Sequence, residues 1–299
     1  MIESLTILIA LFALLQPSAA LAGDANASPI PVPNGSAPAG VTAPDAADPA
    51  RTTPDDQLTG RDIYKRVLDN RFDTFLQTSS LISGDRNGNE QKTSLRMWFE
   101  NFRDADDNPR EGIILSKTLV RYLEPFDLRH TGYLVVNNLD RTNDQFVYLN
   151  SSRVVRRINL RGEAVFGSDF SFEDVIPKEL EDATYVRLAD SKAHDIDCFV
   201  VEATPSEWVE SEYSRIRVFV EKDRPVVLRT LYWDDRNVQI KEMQVDPSAI
   251  ERINEVWVPR RMTMRNTKME SFSTLIVSKI RPNLELRKSH FDLTRLQGH

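Results

Sequence analysis

The chain has 299 residues, 40% of them hydrophobic, with 28% charged and a formal net charge of −7. That is enough apolar material for a sizeable core, and the nearly neutral, mixed-sign balance left to residues 59–299 argues against nucleic acid as a partner. Its one cysteine, Cys198, excludes an intrachain disulfide.

Residues 1–22 read as a cleaved export signal. An apolar run covers Ile7 to Leu15, and Ala20-Leu21-Ala22 fits a small-x-small cleavage site. Glu3 makes the start of this segment atypical. No Cys stands just after the run, so a lipid-anchored form is not expected. The expectation is a soluble periplasmic protein, where a domain without disulfides relies on its own core.

Residues 23–58 are rich in Ala, Pro and Asp and carry Asp24, Asp45, Asp48, Asp55 and Asp56 against Arg51 alone. Such a stretch buries too little to offset its ordering entropy, so a disordered tether is expected. Residues 59–299 are left nearly neutral and form the expected folded domain.

Thr59 to Phe72 reads as the first helix. Thr59 with Asp62 makes an N-cap, and Ile63, Tyr64, Val67, Leu68 and Phe72 recur at helical spacing. From residue 74 the period becomes two. Asp85-Arg86-Asn87-Gly88-Asn89-Glu90 marks a hairpin turn, and Leu95, Met97 and Phe99 fall on one strand face. Extended segments follow at 111–117, 121–125, 132–137, 145–149 and 153–158. A second series covers 184–189, 197–203, 214–220, 226–233, 238–245, 256–264 and 272–280. Pro259 interrupts 256–264, which predicts an edge or a bulge there. The ending His290–Leu296 reads as a short closing turn. About ten or eleven antiparallel strands with few helices predict a mainly β (α+β) fold, a curved sheet forming an incomplete barrel covered by helices. Such a sheet encloses a hollow, which is either a site for an apolar ligand or filled by side chains; periodicity does not separate the two.

One stretch stands apart. Phe166-Gly167-Ser168-Asp169-Phe170-Ser171-Phe172-Glu173-Asp174-Val175 interleaves three rings with three carboxylates. The rings must bury about 150–250 Å² each, while the carboxylates need water or N–H donors. A loop folded over an apolar surface and entering a short helix capped by Ser171 and Asp174 meets both needs. The competing reading makes Asp169, Glu173 and Asp174 an acid/base group of a hydrolase.

Other chemistry is sparse. His130, His194, His290 and His299 form no metal-ligand pair, and His194-Asp195-Ile196-Asp197-Cys198 would alternate faces on a strand. There is no nucleophile elbow and no phosphate loop. No catalytic residue, metal or cofactor is assigned. Cys198 reads as a buried strand thiol. Arg153, Arg156, Arg157 and Arg161 read as a solvated edge, or as a contact for lipid headgroups or an acidic partner.

The stretch "FGSDFSFEDV", preceded by "FVYLNSSRVVRRI", resembles the outer membrane lipoprotein-sorting (LolA-like) family. "VFVEKDRPVVLRTLYWD", "INEVWVPRRMTMRN" and "SHFDLTRLQ" follow in that family's order. The family's turn glycine is replaced by Glu255. The resemblance implies an unclosed antiparallel barrel covered by helices, with an acyl-chain cavity and no catalytic residues. It implies a periplasmic carrier of lipoprotein or another lipid, moving it towards an outer-membrane acceptor, in a branch paired with RND-type (MMPL-like) exporters. The alternatives are a protein-binding accessory module and the hydrolase above. Candidate lining residues are Met97, Phe99, Ile216, Val218 and Val220. The candidate cover is Phe166, Gly167, Ser168, Asp169, Phe170, Phe172 and Asp174.

Overall fold

A computed structural model describes residues 57–297, apart from 105, 106, 111, 160 and 161. The predicted signal and all but the last two residues of the predicted tether lie outside the described residues, as does Arg161.

Helix α1 spans Gly60–Asp69. It begins where Thr59 and Asp62 cap each other: the Asp62 carboxylate accepts the Thr59 N–H at 3.0 Å, and Thr59 Oγ1 accepts the Asp62 N–H at 3.2 Å. It stops short of the predicted Phe72 because Asn70 is engaged elsewhere. The Asn70 side chain donates to Trp257 O at 2.9 Å and accepts from Trp257 N at 2.8 Å. Gly60 is required by a close approach: a Cβ there would lie 2.7 Å from the Arg187 backbone nitrogen.

Six strands follow: β1 (Thr74–Gly84), β2 (Glu90–Asn101), β3 (Ile114–Glu124), β4 (Gly132–Asn138), β5 (Asp144–Leu149) and β6 (Val154–Ile158). After the motif segment come β7 (Ala183–Ala193), β8 (Ile196–Pro205), β9 (Arg215–Glu221), β10 (Val227–Trp233) and β11 (Gln239–Val245). The chain finishes with β12 (Ile250–Ile253), β13 (Val256–Pro259), β14 (Arg261–Asn266) and β15 (Ser271–Pro282). Among the described residues, thirteen strands form one antiparallel sheet in the order β6-β5-β4-β3-β2-β1-β15-β14-β11-β10-β9-β8-β7, and β12 and β13 form a separate ribbon. The two edges, β6 and β7, are consecutive in sequence but do not pair with each other, so the sheet is unclosed.

Two sequence boundaries moved. The segments expected at 111–117 and 121–125 are one strand, β3, because both of its faces are buried and the alternation is masked. The segment 256–264 is two strands in different sheets. Pro259 has no N–H to continue the ladder, and Arg260 N instead donates to Ala249 O at 2.8 Å. His194 and Asp195 form the β7–β8 turn, with φ of 51° and 62°. Cys198 is buried in β8, and burial pushes its thiol up to about 11. The turn at Glu255 does without glycine because Asn254 takes the positive φ, 54°.

Both faces of the sheet are covered. On the inner face, Ile63 of α1 packs on Phe199, Val201, Val218 and Val220. The motif segment packs on Leu95, Tyr122, Tyr133, Val135 and Val147. On the outer face, Trp257 and Ile250 of the ribbon cover Cys198, Val200, Phe219 and Trp233. The C-terminal turn, Lys288–Phe291 followed by α3 (Leu293–Leu296), covers Leu119, Leu134 and Tyr148. Leu296 seats against Gly132, where a Cβ would come within 2.7 Å of it.

Candidate ligand cavity and its inner cover

The motif forms a compact loop leading into α2 (Phe172–Val175). Phe166 and Gly167 take positive φ, 43° and 76°, and the Val165 N–H closes the loop on Phe170 O at 2.7 Å. Its rings point inward. Phe166 meets Tyr122 edge-on at 4.6 Å, and Phe172 meets Tyr133 at 4.8 Å. Phe170 packs with Leu81, Tyr232 and Met264. Ser168 is buried in the loop and Oγ donates to Phe170 O at 3.3 Å.

Each carboxylate of the motif is engaged in holding the loop. Asp174 forms the predicted capping box with Ser171, accepting its N–H at 2.8 Å. Asp174 also accepts the Tyr213 hydroxyl at 2.8 Å and lies 3.3 Å from Lys241 Nζ. Lys241 donates further to Glu212 at 3.0 Å and to Tyr213 Oη at 2.8 Å, which uses its three donors. Burial first, and then the Asp174 charge, push the Tyr213 hydroxyl far above its ordinary range. Glu173 accepts the Glu212 N–H at 2.9 Å and the Ser211 hydroxyl. Asp169 accepts from Ser273 Oγ at 2.7 Å and from Ser271 Oγ. Sequence reasoning did not single out Ser211, Tyr213, Lys241 or Ser273. A sign existed for one of them: Lys241, Met243 and Val245 recur with period two, which sets a lysine in an apolar row.

Strand register places Met97, Phe99, Ile216, Val218 and Val220 on the same inner face. Their surroundings differ. Val218 and Val220 are buried beneath α1, and Ile216 lies between α1 and Phe170. Met97 and Phe99 are half-buried, as are Phe75 and Val120, and Phe99 stacks on Phe75 at 5.2 Å.

Two hollows flank α1. The larger, about 620 Å³, lies between α1, the β4–β5 turn and residues 176–182. Leu68, Leu115, Ile176 and Trp208 give it apolar wall, and Arg103, Asn137 and Glu179 a polar one. Arg103 is buried, donates to Asn101 Oδ1 at 3.0 Å and pairs with Glu179. Burial pushes the Glu179 carboxyl up, against the opposing pull of Arg103. The smaller hollow, about 370 Å³, is lined by Ile63, Arg66, Phe199 and Val220 among others. Of the basic run, Arg157 pairs with Asp144 at 2.5 Å, while Arg153 and Arg156 are exposed at the β6 edge.

A family model described as "Uncharacterized protein" matches residues 115–298, more than half of the chain. The chain belongs to that family. The DUF1329 model, a protein of unknown function, matches residues 62–160. No curated protein matches the chain. Among solved structures, the chain is similar to a DUF1329 family protein from Desulfovibrio piger, with 24% identity and a TM-score of 0.72 over 79% of this chain and 97% of that one. A domain described as an outer membrane lipoprotein-sorting protein, from Vibrio parahaemolyticus, aligns at 20% identity and a TM-score of 0.71 over 80% and 98% of the two chains. A LolA superfamily protein from Nitrosomonas europaea aligns at 16% identity and 0.61 over 79% and 98%. The family member described here therefore has a LolA-like fold, as its motif implied.

Proposed function

We propose that this chain is a periplasmic carrier that binds the acyl chains of a lipoprotein or another lipid between the sheet and its inner cover and moves them towards the outer membrane. The observation that carries the reading is the LolA-like unclosed sheet with half-buried Met97, Phe99, Phe75 and Val120 on its inner wall. The hollow of about 620 Å³ is separate from these four residues and lies between α1, the β4–β5 turn and residues 176–182. Ligand sites commonly occupy about 300–1,000 Å³. Burial of an acyl chain is worth about 0.8 kcal/mol per CH₂, so a carrier that also releases its cargo needs a cover that moves. Residues 164–176 and α1 are the candidate covers. Asp169, Glu173 and Asp174 each hold loop structure, which favours binding over turnover. Export rests on the signal-like residues 1–22, and pairing with an RND-type exporter rests on the sequence resemblance.

The test is native mass spectrometry and lipid extraction of protein purified from its own periplasm, followed by displacement of a fluorescent fatty acid from the delipidated protein. Co-purified lipid or lipoprotein is the expected result. Protein free of lipid that displaces no probe would end the proposal.

A further inference from the structure

Strand β3 carries two hydroxyls that the protein leaves without a hydrogen bond. Ser116 Oγ and Thr118 Oγ1 are sealed from solvent, and neither has a partner among the described residues. Ser116 is 1% exposed and Thr118 5%. Buried hydroxyls are ordinarily paired, because an unmade bond in the interior is costly. Two such groups on alternate residues of one strand share a face. Thr118 lies opposite Phe99 on β2 and Val135 on β4, and Ser116 lies opposite Asn101 and Asn137. That is the inner face. Thr118 adjoins the half-buried apolar wall of Met97 and Phe99. Ser116 adjoins Asn137, whose side chain donates to Glu179 at the polar wall of the larger hollow. By register the pair lies between Met97 and Phe99 on one side and Asn101 and Asn137 on the other, and neither residue lines either hollow.

We propose that Ser116 and Thr118 are ligand contacts that donate to the ester or amide carbonyl of an acylated ligand, whose hydrocarbon lies on Met97 and Phe99 and whose polar end faces Asn137 and Arg103. The inference rests on the carrier reading and names the chemical junction it recognises. Hydrocarbon offers no acceptor, so a site for chain alone has no use for two inward hydroxyls. A carbonyl oxygen has two lone pairs and no proton, which suits two O–H donors. Both oxygens are sealed from solvent, so a ligand reaches them as the inner cover shifts. A bound carbonyl would then supply the hydrogen bonds that the fold itself does not give these hydroxyls.

The test uses Ser116→Ala, Thr118→Val and the double variant in the delipidated full chain, with a diacyl ester phospholipid and its ether-linked counterpart, which lacks the carbonyls. Thermal unfolding is followed without lipid, and binding by displacement of the fluorescent fatty acid. Each single variant is expected to melt about 2–4 °C higher. Each is expected to bind the ester lipid about two- to tenfold more weakly, with ether-lipid binding unchanged. The opposite signs are diagnostic, since a purely structural hydroxyl would lower the melting temperature or leave both readings alone. A single variant that melts lower, or that binds the ester lipid as tightly as the parent, overturns the assignment and leaves the carrier reading standing. If the parent protein binds neither lipid, both fall.

Discussion

Replacing Lys241 with Met tests whether the motif is fixed by its buried charges or by its rings. Met keeps most of the apolar stem and deletes the ammonium. The Lys241 side chain is 8% exposed and that of Asp174 3%, so the pair is well shielded from solvent. Removing one partner of a buried pair costs about 3–5 kcal/mol, because the other charge is left behind. Asp174 keeps the Ser171 N–H and the Tyr213 hydroxyl, which places the expected cost near the lower end, about 3 kcal/mol. For a folded part of this size each kcal/mol moves the melting temperature by about 2–4 °C, so the variant should melt about 6–12 °C lower. Urea unfolding of Lys241→Met, Asp174→Asn and the double variant completes the cycle. The double variant should be clearly more stable than the sum of the two losses predicts. A single-variant cost below about 1 kcal/mol, the size typical of a solvated pair, would refute the reasoning and leave Phe166, Phe170 and Phe172 as the main anchors.

The remaining predictions concern the other coverings and one titration. Phe291→Ala removes a ring buried on Leu119, Leu134 and Tyr148 and should cost about 3–5 kcal/mol in chemical unfolding, with no cost expected if the C-terminal turn were merely resting on the sheet. Gly60→Ala forces a Cβ towards the Arg187 and Val186 backbone, which cannot rotate away, and should destabilise by about 1–3 kcal/mol in a thermal melt; a neutral result would mean that α1 sits further from β7. The Asp144 carboxyl is held below its ordinary value of 3.8, first by its hydrogen bond with Arg141 and also by Asn138 and Arg157, against the effect of burial. Its contribution to stability is therefore present above that value and lost as pH falls through the lower folded one. Asp144→Asn should be the less stable protein at neutral pH, and the gap should close in acid below about pH 4; a gap that persists there would remove the charge from the explanation.

What lay within a few residues was legible in the chain. Thr59 with Asp62 and Ser171 with Asp174 are capping boxes at the expected places, because a cap is a contact over three residues. The Asn87-Gly88 turn closes β1 on β2, with Gly88 at φ 82°. The aromatic motif implied a loop folded onto an apolar surface, and its rings do meet Tyr122 and Tyr133. The partners of its carboxylates were not legible. Lys241 is 67 residues from Asp174, and Ser273 is 104 from Asp169. No local pattern encodes which strand of an antiparallel series brings such groups together.

Sequence alone determined the alternating period, the turns and the ring-rich loop, since each depends on backbone geometry and burial over a short span. Only the tertiary structure decided that β1 lies against β15, that β6 and β7 are left as the two edges, and that α1 occupies Val218 and Val220 while Met97 and Phe99 stay partly open. Those outcomes turn on which apolar faces meet across the whole chain, and a strand's own residues specify a face without naming what covers it.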